Sequence, residues 1–201
     1  MDLFSNEKTI LRLPDAELIY IPNFYNTDQA DFYFEKLRSE TEWQQDDIKV
    51  FGKTYKQPRL TALHAENQLS YSYSNITMYP KPLTPTLLKI KSDVEDEAKH
   101  FFTTVLLNLY RDGNDSNGWH ADNEKELGQN PVIASISFGA TRNFHFKHRE
   151  LKAERYKLPL AHGSLLIMKD TMQHHWLHQI AKTKKVTGER INLTFREIKN
   201  F

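Results

Sequence analysis

Strict alternation of apolar and polar residues marks the second half of this chain. Residues 190–196 read RINLTFR, so three apolar side chains lie on one face of a predicted strand and four polar side chains on the other. We predict further strands in short β-rich segments bounded by turns or charges; they are residues 105–110, 132–138, 143–146, 164–168 and 174–180. The polar face of 190–196 is either exposed to solvent or buried, and a buried one would need an anionic ligand.

Helical spacing of apolar residues marks two segments of the first half. The first segment covers residues 28–39, with Thr27 as its candidate N-terminal cap, and the second begins at Pro85. Their apolar positions are Ala30, Tyr33, Phe34, Leu37, Leu87, Ile90 and Val94. Two helices backing a β-sandwich or barrel give a mainly β fold with flanking helices, of the α+β class.

Composition limits the kinds of protein and of site. With 201 residues, 39% of them hydrophobic, the chain can bury one full core, and we expect a single domain over residues 1–201. The N-terminal residues lack a secretion signal and no stretch is long and apolar enough for a membrane span, so we expect a protein that is not secreted and not bound to membranes. Because there are no cysteines, any metal must be bound through His, Asp and Glu, in keeping with a reducing compartment.

Charge is nearly balanced, at a formal net value of +1, so any affinity for nucleic acid must come from local clusters. Three basic clusters stand out in the sequence. They are Lys49, Lys53, Lys56 and Arg59; Lys147, His148, Arg149, Lys152, Arg155 and Lys157; and Lys182, Lys184 and Lys185. Such runs are more often solvated loops than phosphate contacts, and sequence alone leaves both interpretations open.

A candidate metal site comes from His120, Asp122 and the later His178. Two imidazoles and one carboxylate can occupy one face of a six-coordinate iron and leave three positions free, as in non-heme Fe(II) oxygenases. His120 and Asp122 are two residues apart, so one extended segment would point both the same way. A His-x-Asp pair is more often a surface or hydrogen-bonded pair, and that alternative stays open on spacing alone.

A set of ordered motifs resembles the AlkB family of Fe(II)/2-oxoglutarate dioxygenases over residues 50–197. The motifs are NLYRDGND at 108–115, WHADNE at 119–124, IASISFGA at 133–140, HGSLLIM at 162–168, His178, and RINLTFR at 190–196. The resemblance implies a double-stranded β-helix, or jelly roll, with the iron inside. We therefore expect helices and a nucleotide-recognition lid within an N-terminal extension at residues 1–100, and the catalytic core at 101–201.

The resemblance also implies roles for individual residues. His120, Asp122 and His178 would bind Fe(II) and form the catalytic centre, and Arg190 would pair with the distal carboxylate of 2-oxoglutarate. A guanidinium suits this task, because its two parallel donors match a carboxylate. Further residues would complete the cosubstrate pocket; they are Asn108, Tyr110, Thr194 and Arg196.

Substrate recognition is expected in the segment before the barrel. Residues 57–62 and 71–74 resemble the lids of members that repair alkylated DNA, in which Tyr73 would stack on a flipped base. Phe51, in an apolar tripeptide, resembles a finger that fills the gap in a duplex, although a core phenylalanine is equally consistent with the sequence. The other expected substrate contacts are Arg59, Tyr71, Ser74 and Glu124. Residues 63–66 (LHAE) depart from the family pattern, which leaves lid geometry and substrate range open.

The activity that the resemblance implies is oxidative demethylation of alkylated bases such as 1-methyladenine and 3-methylcytosine. With Fe(II), 2-oxoglutarate and O2, it would release formaldehyde, succinate and CO2. The expected partner is alkylated DNA, single- or double-stranded, with RNA left open, and the expected state is a monomer. We expect a cytoplasmic, nucleoid-associated protein in a bacterium and a nuclear one in a eukaryote. Two alternatives remain: a dioxygenase acting on a protein, lipid or small molecule, and a non-catalytic module that binds modified bases.

Overall fold

The computed structural model describes residues 7–50, 52–66, 71–73, 76–185 and 187–199, with the backbone alone at 49, 50, 71–73 and 76–78. Three α-helices lie in these ranges: α1 (Thr27–Glu40), α2 (Pro85–Ala98) and α3 (Met172–His175). The strands are β1 (Thr9–Leu13), β2 (Ala16–Ile21), β3 (Asp47–Val50), β4 (Lys53–Lys56), β5 (Leu60–Ala65), β6 (Tyr71–Tyr73), β7 (Ile76–Met78), β8 (Lys81–Pro82), β9 (Thr104–Tyr110), β10 (Asn117–His120), β11 (Ile133–Gly139), β12 (Arg142–His148), β13 (Arg155–Leu160), β14 (Ser164–Lys169), β15 (Trp176–Ile180) and β16 (Arg190–Arg196). A short 3-10 turn covers Lys125–Leu127.

Two antiparallel sheets build the core. The major sheet has eight strands in the order β1-β2-β14-β11-β16-β9-β5-β8, with only the β5–β8 pair parallel, and the minor sheet has four in the order β10-β15-β12-β13. Strands β3 and β4 form a separate hairpin, as do β6 and β7. Two facing sheets with helices on one side agree with the predicted jelly roll and α+β class.

Apolar side chains fill both sides of the major sheet. Between the sheets, a cluster that includes Phe146, Met168 and Trp176 excludes water. On the other side, α1 and α2 cover a second cluster that includes Ile136, Leu165 and Leu193. Because both faces of the major sheet are buried, its central strands are rigid supports for side chains that point between the sheets.

The helices begin where local chemistry stabilises their first turn. Asn26, not Thr27, caps α1: its side chain accepts a hydrogen bond from the backbone of Gln29, whose side chain accepts one from the backbone of Asn26. This reciprocal pair stabilises the first turn better than a lone hydroxyl would. Helix α2 starts as predicted at Pro85, with the Thr84 hydroxyl as cap.

The strand predicted over residues 174–180 begins later than expected. His174 and His175 belong to the single turn α3, in which both backbone amides donate to the Thr171 carbonyl. The N-terminal strands β1, β2, β5 and β8 belong to the major sheet, so residues 1–100 contribute to the core as well as to the expected lid. The division of the chain at residue 100 stays a prediction. Among the described residues, no helix has the length and apolar character that crossing a bilayer requires.

Candidate metal and cosubstrate site

The three predicted ligands lie together between the two sheets. Each of His120, Asp122 and His178 offers an atom within 4.8 Å of the others'. His120 is the last residue of β10 and pairs with His178 on β15, and their ring centroids are 4.3 Å apart. Asp122 lies in the irregular segment beyond β10, so one strand supplies a single ligand rather than two. Two imidazoles and one buried carboxylate are the donor set expected for a non-heme iron site.

Hydrogen bonds aim the ring of His120 inward. Its Nδ1 lies 2.7 Å from the carbonyl oxygen of Gly118, so Nδ1 carries the proton and donates. That tautomer leaves a lone pair on Nε2, which lies 4.0 Å from Asp122 Oδ1. A ligand histidine whose other nitrogen is held in this way has a fixed orientation and a more basic ligand atom.

Burial and mutual charge set the ionisation of the three ligands. The pKa of His178 is lowered to about 3, mainly by burial and also by the neighbouring His120 ring, while Asp122 acts in the opposite direction. Burial lowers the pKa of His120 as well. For Asp122, burial alone would raise the pKa, but Arg196 and the two histidines hold it at about 2. At neutral pH, therefore, both imidazoles are neutral and the carboxylate is ionised, the states that a metal requires.

Two residues fix Asp122 from outside the ligand set. Arg196 Nη2 donates to its Oδ1 at 2.9 Å, and both side chains are almost fully buried. The Gln173 side-chain oxygen accepts from the Asp122 backbone amide at 2.9 Å, and Gln173 is itself 1% exposed. The sequence predicted a cosubstrate role for Arg196 but gave no sign of Gln173, because only the turn α3 brings it to the site.

Arg190 is the best candidate to bind an anion in this cavity. It is 1% exposed, and its Nη2 donates to Ser137 Oγ at 2.9 Å. Its Nε and Nη1 are buried and lack a hydrogen-bond partner of good geometry among the described residues, and the Tyr110 side chain lies beside the guanidinium. Burial lowers its pKa to about 10, with Tyr110 opposing and Arg142 adding to the effect, so the guanidinium is still a cation at neutral pH. A buried cation with two free donors fits the carboxylate of 2-oxoglutarate.

The other predicted cosubstrate residues line the same cavity. Asn108 and Tyr110 come from β9, and Thr194 comes from β16, whose polar face is buried rather than exposed to solvent. The Thr194 hydroxyl donates to Asn192 Oδ1, and Asn192 Nδ2 donates in turn to Ser135 Oγ at 2.8 Å. Sequence reasoning missed Ser135 and Ser137 as members of this network. The signal was present, because the two serines alternate with apolar residues at 133–138.

A second group of two histidines and one aspartate has the same composition but different chemistry. Asp15 lies 3.3 Å from His148 Nε2 and 3.9 Å from His175 Nδ1. His148 Nδ1 accepts hydrogen bonds from two backbone amides, those of Glu150 and Leu151. The proton of a neutral His148 is therefore on Nε2, where it donates to Asp15 and blocks metal binding. The group of Asp15, His148 and His175 therefore differs from the buried triad in the tautomer of its histidine, because Nε2 carries the proton in His148 and Nδ1 carries it in His120.

The residues predicted to contact substrate are only partly brought to the site. Arg59 is buried at 4% exposure rather than on the surface, and it donates to Asn108 Oδ1 at 2.8 Å and to the Ser116 carbonyl. Its guanidinium therefore lies inside the barrel rather than in an exposed cluster with Lys53 and Lys56, and its predicted contact with substrate stays a prediction. Glu124 is half-buried and precedes the 3-10 turn, close to the ligand-bearing segment.

The remaining substrate predictions concern residues that the structure describes in part or not at all. Tyr71 and Tyr73 lie on β6 of the β6–β7 hairpin, for which the backbone alone is described. Phe51 and Ser74 lie outside the described residues. The basic residues Lys53 and Lys56 are exposed on β4. Stacking, wedge and phosphate roles for this region stay predictions.

Comparison with protein families gives a match over most of the chain. The model of the 2OG-Fe(II) oxygenase superfamily matches residues 17–196. The chain is 43% identical over 191 residues to the alpha-ketoglutarate-dependent dioxygenase alkB homolog 3 of Bos taurus, covering 88% of this chain and 64% of that protein. It is 40% identical over 180 residues to the DNA oxidative demethylase ALKBH2 of Homo sapiens, covering 85% of this chain and 69% of that protein.

Solved structures agree on the fold. The structure of OsALKBH1 superimposes with a TM-score of 0.65 at 17% sequence identity, covering 94% of this chain and all of that one. The chain spans about 64% of the length of the alkB homolog 3 proteins of Bos taurus and Homo sapiens.

Proposed function

Because this chain belongs to the AlkB family within the 2OG-Fe(II) oxygenase superfamily, we propose that it repairs alkylated DNA by oxidative demethylation of its bases. The observation that carries the proposal is one cavity holding both a two-histidine, one-carboxylate donor set and the buried cation Arg190. The donor set of two histidines and one carboxylate suits Fe(II), and Arg190 suits the free carboxylate of a bound keto acid. Similarity to a DNA oxidative demethylase supports DNA as the substrate class.

The cofactors of the superfamily are Fe(II), 2-oxoglutarate and O2, and the donor atoms present fit them. When bound, iron and 2-oxoglutarate supply the oxidising power that converts an N-methyl group into an N-hydroxymethyl group, while 2-oxoglutarate becomes succinate and CO2. One oxygen atom of O2 enters succinate and the other enters the hydroxymethyl group. That group leaves the ring nitrogen as formaldehyde, and the base regains its N–H or lone pair.

The protein's own residues bind and orient the reactants. Gly118 fixes the tautomer of His120, and Gln173 and Arg196 hold Asp122 in place and ionised. Arg190, supported by Ser137, would anchor 2-oxoglutarate through its distal carboxylate. The apolar wall between the sheets keeps bulk water from the reacting centre. No side chain is needed as a general base, because the hydroxymethyl product decomposes by itself.

We propose 1-methyladenine and 3-methylcytosine in DNA as the substrates, because the relatives include a DNA oxidative demethylase. These bases carry the methyl group on a ring nitrogen that a duplex hides, so the nucleotide must be extruded or single-stranded. The same assay measures whether RNA is also a substrate and whether single or double strands are preferred. A dioxygenase acting on a protein, lipid or small molecule would use the same metal and cosubstrate residues, and a binding module would turn over nothing.

The test is turnover of a defined panel of oligonucleotides. The protein is incubated with Fe(II), 2-oxoglutarate and O2 and with DNA or RNA strands, each carrying one 1-methyladenine or 3-methylcytosine, single-stranded or annealed. A strand lighter by one methylene, matched by equal succinate and formaldehyde, is the expected result. Succinate formation without any change in the panel would overturn the nucleic-acid substrate while leaving a dioxygenase. No succinate under any condition would overturn the enzyme itself.

Omitting 2-oxoglutarate gives the matched control, since repair must then stop. A second control is Asp96→Ala, which removes an exposed carboxylate on α2, away from the cavity. This variant should keep full activity.

A further inference from the structure

The outer face of the minor sheet carries a basic surface that the proposed chemistry does not use. Register places six of its outward residues in two cross-strand rows. The first row is Leu177, Lys147 and Arg155, and the second is Gln179, His145 and Lys157. On β12 the side chains between them alternate inward, with Phe144, Phe146 and His148 buried. We call this set of outward residues the outer basic face.

The positive charges of the outer basic face are not neutralised by nearby carboxylates among the described residues. Lys147, Arg155 and Lys157 form no ion pair with a carboxylate in the described part of the chain. None of the outward positions in either row is acidic. The nearest carboxylates in the sequence, Glu150 and Glu154, belong to the turn that joins β12 to β13, and Glu154 accepts a hydrogen bond from Tyr156. Three cations without a carboxylate partner on one flat sheet face attract a polyanion.

An exposed indole joins this face to the candidate active site. Trp119 immediately precedes the ligand His120 on β10, the edge strand of the minor sheet, and it is 41% exposed. Its ring lies on the outer side, since Lys147 Nζ is 4.3 Å from its centroid. Adjacent strands are about 4.8 Å apart, so the four strands from β10, which carries Trp119, to β13, which carries Arg155, span about 14 Å. A surface of this length, starting one residue from the metal site, can follow a chain that leaves the site.

We propose that the outer basic face, together with Trp119, binds the unmodified single strand that flanks the nucleotide undergoing repair. This inference rests on the proposed function, because it requires a nucleic-acid substrate. Cations at strand spacing would contact successive phosphates, and the exposed indole would stack on a base without regard to its identity. The carboxylates of an acidic protein segment could also pair with the cations, but only a nucleic acid offers both a phosphate and a base ring at every position of its chain.

The test compares long and short substrates in one double variant. Arg155→Glu/Lys157→Glu reverses two charges on β13, two strands away from His178. We expect its KM for a modified oligonucleotide of about twenty nucleotides to rise on the order of tenfold, with KM for a modified trinucleotide unchanged, because only the long strand reaches β13. The slope of the binding constant against salt concentration, both on logarithmic scales, should become shallower by about one for each phosphate that the variant no longer neutralises. Lys99→Glu, a single charge reversal just after α2 and away from the outer basic face, should change neither constant.

Tryptophan fluorescence reports the stacking contact directly. Unmodified single-stranded DNA should quench the emission of the wild-type protein, and Trp119→Phe should abolish that quenching while keeping most of the affinity. The Trp119→Phe variant gives the reference emission of the two other tryptophans, the partly buried Trp43 and the fully buried Trp176.

The outcomes separate this proposal from the one on which it rests. Wild-type repair combined with equal KM values in the wild type and the Arg155→Glu/Lys157→Glu variant on the long substrate would overturn the outer basic face alone. Tighter binding of a poly-glutamate peptide than of DNA would overturn it in favour of an acidic protein partner. Absence of repair by the wild type would overturn the proposed function first.

Discussion

Arg196 donates a hydrogen bond from Nη2 to Oδ1 of Asp122 at 2.9 Å, and neither side chain is more than 4% exposed. The pair joins the last residue of β16, a central strand of the major sheet, to the ligand segment that follows the edge strand β10 of the minor sheet. It therefore links the two sheets at the metal site. A buried pair of this kind is costly to break from one side, because the remaining charge has no solvent to replace its partner.

Arg196→Met should destabilise the metal-free protein by about 3–5 kcal/mol, the usual consequence of leaving one buried charge unpaired. Thermal unfolding measured with and without Mn(II) checks this, since a divalent cation would neutralise Asp122 and restore part of the stability. The double variant Asp122→Asn/Arg196→Met should be closer to wild type than Arg196→Met without metal. An additive double variant would contradict a direct coupling between the two residues.

Asp122→Ala should abolish 2-oxoglutarate-dependent demethylation while leaving a folded protein, because it removes the only anionic group of the triad. Calorimetric titration with Mn(II) should show that the same variant no longer binds metal. Near-normal turnover at limiting iron would reject the triad. The circular dichroism spectrum should match that of wild type, which distinguishes a defect in chemistry from a defect in folding.

Arg190→Lys should raise KM for 2-oxoglutarate on the order of tenfold to a hundredfold, since lysine keeps the charge but loses the paired donors. Ser137→Ala removes the hydroxyl that accepts from Arg190 Nη2 and should raise KM in the same direction but less. Steady-state kinetics at saturating DNA measure both effects. An unchanged KM in Arg190→Lys would mean that another cation anchors the cosubstrate.

Acid should destabilise the metal-free protein through the buried triad. The pKa of His178 is lowered from 6.5 to about 3 in the folded state. Between these two pH values the unfolded chain therefore binds a proton at His178 that the folded chain does not bind. Stability therefore falls as pH drops from about 6.5 towards 3, and Asp122, with its pKa lowered to about 2, adds a further decrease below about 4. Urea unfolding from pH 8 to pH 4 measures the slope. His178→Gln should flatten it between pH 6.5 and 4.

Phe51→Ala tests the duplex finger predicted from sequence. If Phe51 fills the gap left by a flipped base, repair of duplex DNA should fall by the equivalent of a few kcal/mol, while repair of single strands stays nearly unchanged. Both substrates must be compared at one ionic strength. Equal decreases on the two substrates, together with a lower melting temperature, would instead identify a core phenylalanine.

The sequence predicted best what short-range alternation determines. Strand β16 begins and ends at the predicted residues, and its polar face carries Arg190, Asn192, Thr194 and Arg196, because a period of two is unambiguous when one face is apolar. Burial of that face could not be decided from the pattern. Only the neighbouring strands, β9 and β11, show that it points between two sheets.

The parts of the fold and of the site that depend on long-range contacts could not be predicted from the sequence. The strand β5 is buried on both faces and shows no alternation, so the pattern did not predict it as a strand, and its first residues were assigned only by resemblance to a lid. From sequence, Arg59, just before β5, was grouped with Lys53 and Lys56 in one basic cluster, because residue type alone does not show which cation is buried. Its contact with Asn108 depends on the pairing of β5 with β9, which no local pattern encodes.

Pairing between β2 and β14 has a consequence for the order in which this protein folds. Ile21 lies opposite Leu165, so a strand from the start of the chain is held in the sheet by one made near its end. Bringing such distant segments together requires closing a loop that contains almost every other element, and folding slows as contacts become less local. A ribosome would release β2 long before β14 exists. Until then, β1 and β2 can pair only with each other, so the edge of β2 that later binds β14 stays unpaired during synthesis.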